Sequence, residues 1–295
     1  MSARYIAALD MGGTKIKGCL FEDGRLLQVS DVDAEAWRGG THFLERGAEL
    51  LSAFGPFDAL GVSTAGQVDP RSGSIRYANE NIPGYTGMDV RGFFEERFGK
   101  QTAVVNDVYA AALGEGAQGA ARGRRDYLCL TYGTGVGGGV VLNGRLYYGA
   151  GASAGVMLGG MVIHPEAVVS GDPFSGTYER YASATALVRT AQTVDAGLVD
   201  GKAIFAQISK PAVRTVVDQW LDEVAVGLCT LVHAYNVPCV VLGGGVMEQP
   251  YAILGVRRRV EEHLIPGFRG VSILAAELGN MAGLYGAAGL ASKLR

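Results

Sequence analysis

The chain has 295 residues, 48% of them hydrophobic and 19% charged, with a formal net charge of −3. That length suits two domains of ordinary size, the composition excludes a disordered chain, and no apolar run approaches the ~20 residues that span a bilayer. The charge balance offers nothing to nucleic acid: the short basic run Arg122-Gly123-Arg124-Arg125 is followed at once by Asp126 and reads as a solvated loop.

The chain enters a strand-like run immediately, without a small-residue cleavage site, so no export signal is expected. "YIAALDMGGTKIKGCLFEDGRLL" (5–27) reads as strand, glycine turn, strand, Asx-Gly-Arg turn, strand. "ALGVSTAGQVD" (59–69) is an apolar strand ending in a polar, glycine-containing loop, and "DVRGFFEERFG" (89–99) is an amphipathic helix stopped by Gly99. "TAVVND" is a further strand, with the helix "VYAAALGEGAQG" behind it. At their junction Asn106 and Asp107 are residue types that cap a helix N-terminus and equally types that carry chemistry.

"DYLCLTYGTGVGGGVVLNGRLYYG" (126–149) then repeats the opening plan. At a constant offset of 120, Gly13/Gly133, Thr14/Thr134, Gly18/Gly138, Gly24/Gly144, Arg25/Arg145 and Leu26/Leu146 are identical, which points to two related domains. Helices at about 181–195 and 213–235 lead into the strand "CVVLGG", a helix at about 251–264 precedes "VSILAAEL", and "MAGLYGAAGLASKLR" is a small-residue helix. Alternation of this kind signals α/β layering. The expected division is 1–117 and 118–280, with the last helix, about 281–295, back on the first domain.

Cys19, Cys129, Cys229 and Cys239 lie far apart and form no C-x-x-C pair, which argues against a disulfide framework or a local zinc cluster and fits a reducing cytoplasm. The 45 glycines gather behind apolar strands, in "DMGGTK" (10–15), "GTGVGGG" (133–139) and "GGGV" (243–246). Such turns let backbone N–H groups approach phosphate oxygens, and Thr14, Lys15 and Thr134 add hydroxyl or cationic partners. Gly133-x-Gly135-x-x-Gly138 fits a dinucleotide fingerprint in letters only, because a strand and not a helix follows it, and no G-x-x-x-x-G-K-[ST] occurs. Converging hairpins in two similar domains imply a nucleotide cleft between them.

"ALDMGGTKIKG", "GVSTAGQVDPRSG", "NIPGY", "VVNDVYAAALGE", "TYGTGVGGGVVLNGRLYYG", "ERYASATAL" and "VVLGGGV" together resemble the ROK sugar kinases of the actin-like ATPase superfamily, a group of glucokinase-like, N-acetylmannosamine kinase-like and N-acetylglucosamine kinase-like enzymes. The resemblance implies an α/β fold of two actin-like ATPase (ribonuclease H-like) domains with an interdomain cleft, and use of ATP and Mg²⁺. It makes Asp107 the general base and gives Asn106 a neighbouring sugar hydroxyl. Asp10 would lie near the magnesium carried by ATP. Gly12, Gly13, Thr14 and Lys15 would form the first phosphate turn, Gly133, Thr134 and Gly135 the second, and Gly244 and Gly245 the turn beside the nucleoside. Gly66, Asn81 and Glu179 match sugar-contact positions. The same resemblance implies a cytoplasmic homodimer whose partner is a small-molecule sugar, with no nucleic acid and no membrane. The family's repressors carry an extra N-terminal helix-turn-helix, which is not expected in a chain that starts at the first phosphate hairpin.

The resemblance breaks in "GVMLGGMVIHPEAVVSGDPFSGTYERYAS" (155–183). Met157 and Gly160 stand where the family has a glutamate and a histidine, and the stretch has no cysteine, so no structural zinc is expected. His164 reads as a solvated or core-satisfied loop histidine, and Glu166 and Asp172 read as loop charges. The expected activity is ATP-dependent phosphorylation of a sugar hydroxyl, the 6-hydroxyl of a hexose or N-acetylhexosamine. The alternative is a catalytically weak sugar- or nucleotide-sensing regulator on the same scaffold. Substrate identity stays open among an altered hexose specificity, a disaccharide or amino sugar, and poor turnover.

Overall fold

Two-residue Asx-Gly turns fix the first hairpin of each half of the chain. Asp23 and Gly24 (φ 48° and 82°) and Asn143 and Gly144 (φ 54° and 73°) both take the left-handed pair of backbone angles that a tight hairpin loop requires. The computed structural model describes residues 3–150 and 155–294. Met1 and Ser2 at the start of the expected leaderless strand, residues 151–154, and Arg295 at the end of the expected last helix lie outside the described residues.

β1 (Tyr5–Met11), β2 (Lys15–Glu22) and β3 (Arg25–Asp33) open the chain, and α1 (Gly40–Ser52) leads into β4 (Ala59–Thr64). The short strands β5 (Gln67–Val68) and β6 (Ile75–Tyr77) pair as a ribbon before α2 (Val90–Phe98), β7 (Thr102–Asn106) and α3 (Asp107–Gln118). β8 (Tyr127–Tyr132), β9 (Val136–Leu142) and β10 (Arg145–Leu146) repeat the opening. They are followed by α4 (Tyr178–Ala182), α5 (Ala184–Ala191), α6 (Gly201–Ala206), α7 (Pro211–Tyr235), β11 (Cys239–Gly243), α8 (Pro250–His263), β12 (Ser272–Ala275) and α9 (Ala282–Ala291).

The chain divides into two compact units. The first takes the described residues of Met1–Gly123, Leu146–Val156 and Asn280–Arg295, and the second takes Arg124–Arg145 and Met157–Gly279. The crossing falls at Gly123 and not near 117, and the described residues of 146–156 belong with the first unit. Tyr109 on α3 accounts for that return: its hydroxyl donates to the Val156 carbonyl at 3.0 Å, and its ring meets Tyr148 edge-on at 5.5 Å.

The first unit's sheet runs β3-β2-β1-β4-β7, and the second sheet runs β10-β9-β8-β11-β12. In both, the hairpin strands pair antiparallel while the strands reached through helices pair parallel. Alternation along β1 loads both faces of its sheet. Ala7, Leu9 and Met11 join Phe43 and Leu44 of α1 and Phe94 of α2, while Ile6 and Ala8 join Leu284, Ala287 and Ala288 of α9. α9 comes close because glycines stand at its contacts: a Cβ on Gly61 of β4 would overlap the Ala287 carbonyl, and one on Gly286 of α9 itself would overlap the Ala110 carbonyl of α3.

One expected helix is two. Across 181–195 the chain forms α4, breaks at Ser183 and restarts as α5. The Ser183 hydroxyl accepts from the Ala186 N–H at 3.1 Å, and the Trp220 indole N–H on α7 donates to the carbonyls of Ala182 and Ser183 at 2.9 and 3.2 Å. A new N-cap and a distant donor satisfy the backbone groups that the break frees. Among the described residues no helix is long and apolar enough to cross a membrane.

Candidate active site

In the first unit the chemistry-bearing residues collect at the carboxyl ends of the parallel strands, the usual ligand edge of an open α/β sheet. Asp10 of β1 stands beside Ser63 of β4, and Thr64 of β4 beside Asn106 of β7. Asn106 is the N-cap of α3 and Asp107 its first residue. The Asn106 side-chain oxygen accepts from the N–H groups of Val108 and Tyr109 at 3.0 and 3.4 Å, and Nδ2 donates to the Gly66 carbonyl at 2.9 Å and to Asp107 Oδ1 at 2.8 Å. An amide has two donor hydrogens and two acceptor lone pairs, so these four bonds occupy it fully. The expected hold on a neighbouring sugar hydroxyl would require it to release one of them, and in this arrangement Asn106 acts on Asp107.

Asp107 Oδ1 also accepts from the Val108 N–H at 2.9 Å. Both of these contacts fall on Oδ1, and the backbone of Asp107 itself adds a further hydrogen bond to the carboxylate. Burial pushes this carboxyl up to about 6, with the Asp10 charge adding to the rise and the bonds from Val108 and Asn106 opposing it. Such a value is suited to a base working near neutral pH.

Asp10 is raised as well, chiefly by burial, while the Ser63 hydroxyl, which donates to Oδ1 at 2.6 Å, and the Lys17 charge hold it down. Lys17 lies directly across the β1–β2 hairpin from Asp10, with Nζ 3.5 Å from the Asn280 carbonyl. On the far side, a Cβ on Gly283 would sit 2.8 Å from Asp10 Cγ and Oδ1. Gly283 lies in the first turn of α9, whose free N–H groups and dipole favour an anionic neighbour. Sequence reasoning missed Lys17, Ser63 and Gly283. Only the pairing of position 10 with 17 across a tight hairpin could have pointed to the first.

In the first glycine turn the Gly12 N–H donates to the Lys15 carbonyl at 3.0 Å, Gly13 has open space around its Cα, and Thr14 is exposed. Lys15 is exposed but pairs with Asp31 of β3. Gly66 adopts φ 92°, and a Cβ there would press on the Tyr77 carbonyl at 3.0 Å. Asn81 is exposed on the following loop, which the Thr64–Tyr85 hydroxyl pair ties to the end of β4 at 2.7 Å.

The second unit repeats the turn. The Gly133 N–H donates to the Gly135 carbonyl at 3.0 Å, Gly133 has open space and Thr134 is exposed. Gly244, at φ 99°, lies so close to Tyr132 that a Cβ would overlap that residue's carbonyl, so this turn and the Gly133 turn meet at the ends of β8 and β11. Gly245 beside it has open space. Glu179 of α4 reaches the same hairpin. Its carboxylate accepts from the Val136 N–H, and Oε2 lies 2.8 Å from where a Cβ on Gly135 would be. Burial is the main force raising the Glu179 carboxyl, against the Val136 bond and the Arg180 charge.

The cysteine-free loop is held by polar contacts. His164 is bridged by Glu166 at Nδ1 and Glu223 of α7 at Nε2, each at 2.8 Å, and its ring lies 4.1 Å from that of Tyr181, tilted by 35°. Asp172 accepts from the Phe174 N–H and from Arg180. Glu166 stays exposed as a loop charge, while its bonds and those of Glu223 fix the His164 ring. Among the described residues no group of three or more His, Cys, Asp or Glu side chains is placed to hold a metal ion.

The model of the ROK family matches residues 6–294. A ROK hexokinase from Thermus thermophilus is similar in structure, with a TM-score of 0.85 and 35% identity over 98% of both chains. A ROK family glucokinase from Streptomyces griseus, solved in complex with glucose and AMPPNP, gives a TM-score of 0.83 and 27% identity over 99% of this chain and 100% of the other. The beta-glucoside kinase of Klebsiella pneumoniae is 30% identical over 96% of this chain and 94% of its own. A match of this extent, with the paired sheets and glycine hairpins described above, means that the chain belongs to the ROK family and has the two-domain α/β fold of its kinases.

Proposed function

We propose that the protein is an ATP-dependent sugar kinase in which Asp107 is the general base. The observation that carries this reading is a carboxylate fixed at the first turn of α3, tied through Oδ1 to Val108 and Asn106, with burial raising it to about 6. The sugar hydroxyl oxygen attacks the γ-phosphorus of ATP, the bond from that phosphorus to the β–γ bridging oxygen breaks, ADP leaves, and the hydroxyl proton passes to Asp107. The turns at Gly12, Gly13 and Thr14 and at Gly133, Thr134 and Gly135 offer backbone N–H groups and hydroxyls to phosphate oxygens, and the Gly244–Gly245 turn, open at Gly245, takes the nucleoside. Lys15 joins the first turn only by leaving Asp31.

Asp10 presents hard oxygen donors in a half-buried, partly neutralised setting, which suits Mg²⁺ delivered with ATP. Bound there, the ion would offset phosphate charge. Glu179, Asn81 and the Gly66 backbone are the sugar-binding groups, and Asn106 positions the base. The phosphorylated group is the 6-hydroxyl of a hexose or N-acetylhexosamine. A cytoplasmic homodimer without nucleic-acid partners accompanies this reading, and size-exclusion chromatography with light scattering tests the dimer. Sugar-stimulated ADP release by the purified protein with Mg-ATP, across hexoses, amino sugars and glucosides, tests the activity. A flat response to every sugar would remove the proposal.

A further inference from the structure

Tyr178 and Glu179, neighbours in the first turn of α4, grip the base of the second glycine turn from both of its strands. Tyr132 ends β8, Val136 begins β9, and the two stand directly opposite in the hairpin, with Gly133, Thr134 and Gly135 between them. Glu179 takes the β9 side, where it accepts from the Val136 N–H. Tyr178 takes the β8 side, with its hydroxyl 2.7 Å from that of Tyr132. The direction of this bond is fixed: Tyr178 donates its one hydrogen to the Val224 carbonyl of α7 at 2.8 Å, so it accepts from Tyr132. A chain of two hydroxyls thus runs from β8 through α4 to α7.

Both tyrosines are buried. Two phenylalanines would fill the same space, and exchanging a buried hydrogen-bonded pair for apolar groups of the same shape costs little net stability. What the hydroxyls add is a fixed position. α4 has five residues, too few to hold a helical shape alone, so its placement depends on its neighbours. The Trp220 indole holds its far end through the Ala182 and Ser183 carbonyls, and Tyr178 holds the end that carries Glu179, its ring lying where a Cβ on Gly227 of α7 would be. Tyr132 is set independently, by the β8–β9 ladder and by the Gly244 turn against its carbonyl, and the Gly133 carbonyl also accepts from the Thr185 N–H of α5 at 3.4 Å.

Resting on the kinase reading that gives Glu179 to the sugar, we propose that Tyr132 and Tyr178 are positioning residues, whose hydroxyl chain sets the Glu179 carboxylate at a fixed reach from the second phosphate turn. A sugar hydroxyl that donates to Glu179 competes with the Val136 N–H, and the tyrosine chain is the link that does not compete. Without it the first turn of α4 loosens while the glycine turn keeps its own supports. The sugar site then suffers and the nucleotide site does not.

The test is Tyr132→Phe, which cuts the chain, keeps the ring and leaves no buried donor without an acceptor, since Tyr178 still donates to Val224. Wild type, Tyr132→Phe, Glu179→Ala and the double variant are compared by ADP release with glucose, mannose, fructose and N-acetylglucosamine as probes. In Tyr132→Phe the thermal midpoint should stay within a few degrees of wild type and the KM for Mg-ATP should not move. The KM for the sugar should rise about three- to tenfold, the worth of one hydrogen bond. In the Glu179→Ala background the same change should have no further effect on sugar kcat/KM, read from initial slopes, because the tyrosine acts through that carboxylate. A wild-type sugar KM in Tyr132→Phe overturns the proposal, as does an equal rise in the KM for Mg-ATP or a full additional loss in the double variant. Absence of turnover with every sugar overturns the kinase reading instead. The concentration dependence of thermal stabilisation by the same sugars then decides the positioning: weaker sugar binding in Tyr132→Phe supports it, and binding equal to wild type, or none in either protein, overturns it.

Discussion

Replacing Asn106 separates its two structural duties. In Asn106→Ala the cap oxygen on Val108 and Tyr109 disappears, a loss of about 1 kcal/mol. The Gly66 carbonyl loses the Asn106 donor and Asp107 loses one of its three, terms of about 1–3 kcal/mol each before the chain relaxes or water enters. These effects share one residue and overlap, so the net loss is on the order of 3 kcal/mol. At roughly 2–4 °C per kcal/mol for a domain of this size, the midpoint falls by about 10 °C. The donor bond from Asn106 opposes the upward shift of Asp107, so its removal moves the acid limb of the pH–rate curve to higher pH. Asn106→Asp keeps a cap oxygen but has no donor and sets a second carboxylate against Asp107. It should recover part of the stability while moving the acid limb further. Thermal unfolding and kcat/KM profiles from pH 5 to 9 read both effects. An Asn106→Ala protein with wild-type unfolding and an unmoved acid limb would refute the account of this junction.

With Asp107 at about 6, kcat/KM should fall as pH drops through that value and stay level above it, since the base works only when ionised. A limb centred near 4 would contradict the burial argument. Gly283→Ala places a methyl 2.8 Å from the Asp10 carboxyl and should raise the KM for Mg-ATP or lower kcat by about tenfold or more, while the overpacking costs about 1–3 kcal/mol of stability. Wild-type kinetics in that variant would show that Asp10 is not constrained there. His164→Gln should lower stability by about 1 kcal/mol at pH 5.5 and by little at pH 9. The folded state raises this imidazole, chiefly through Glu223, so its contribution is complete below the ordinary histidine value of about 6.5 and is lost as pH rises through the raised one. Equal losses at both pH values would mean that packing on Tyr181, and not charge, holds the loop.

Features that depend on local backbone chemistry were legible in the sequence. The Asx-Gly turns, the glycines at 13 and 133, Gly99 as a helix stop and the Asn106-Asp107 junction each follow from residues adjacent in the chain. Features set by distant partners were not. The break at Ser183 is supported by an indole on α7, His164 is held by Glu223 fifty-nine positions away, and Gly283 faces Asp10 from the other end of the chain. Asn106 shows the intermediate case. Its place beside Asp107 was readable, but full occupation of its amide depends on Gly66, which the fold brings from forty positions earlier.

The most direct measurement of the central claim is sugar-dependent ADP release by Asp107→Asn beside wild type, with ATP binding measured on both. The account predicts that the variant binds ATP as wild type does and loses about 10²- to 10⁴-fold in kcat, because the amide keeps the shape of the side chain but cannot take the proton. Turnover within a few-fold of wild type would contradict it and move the base to another residue.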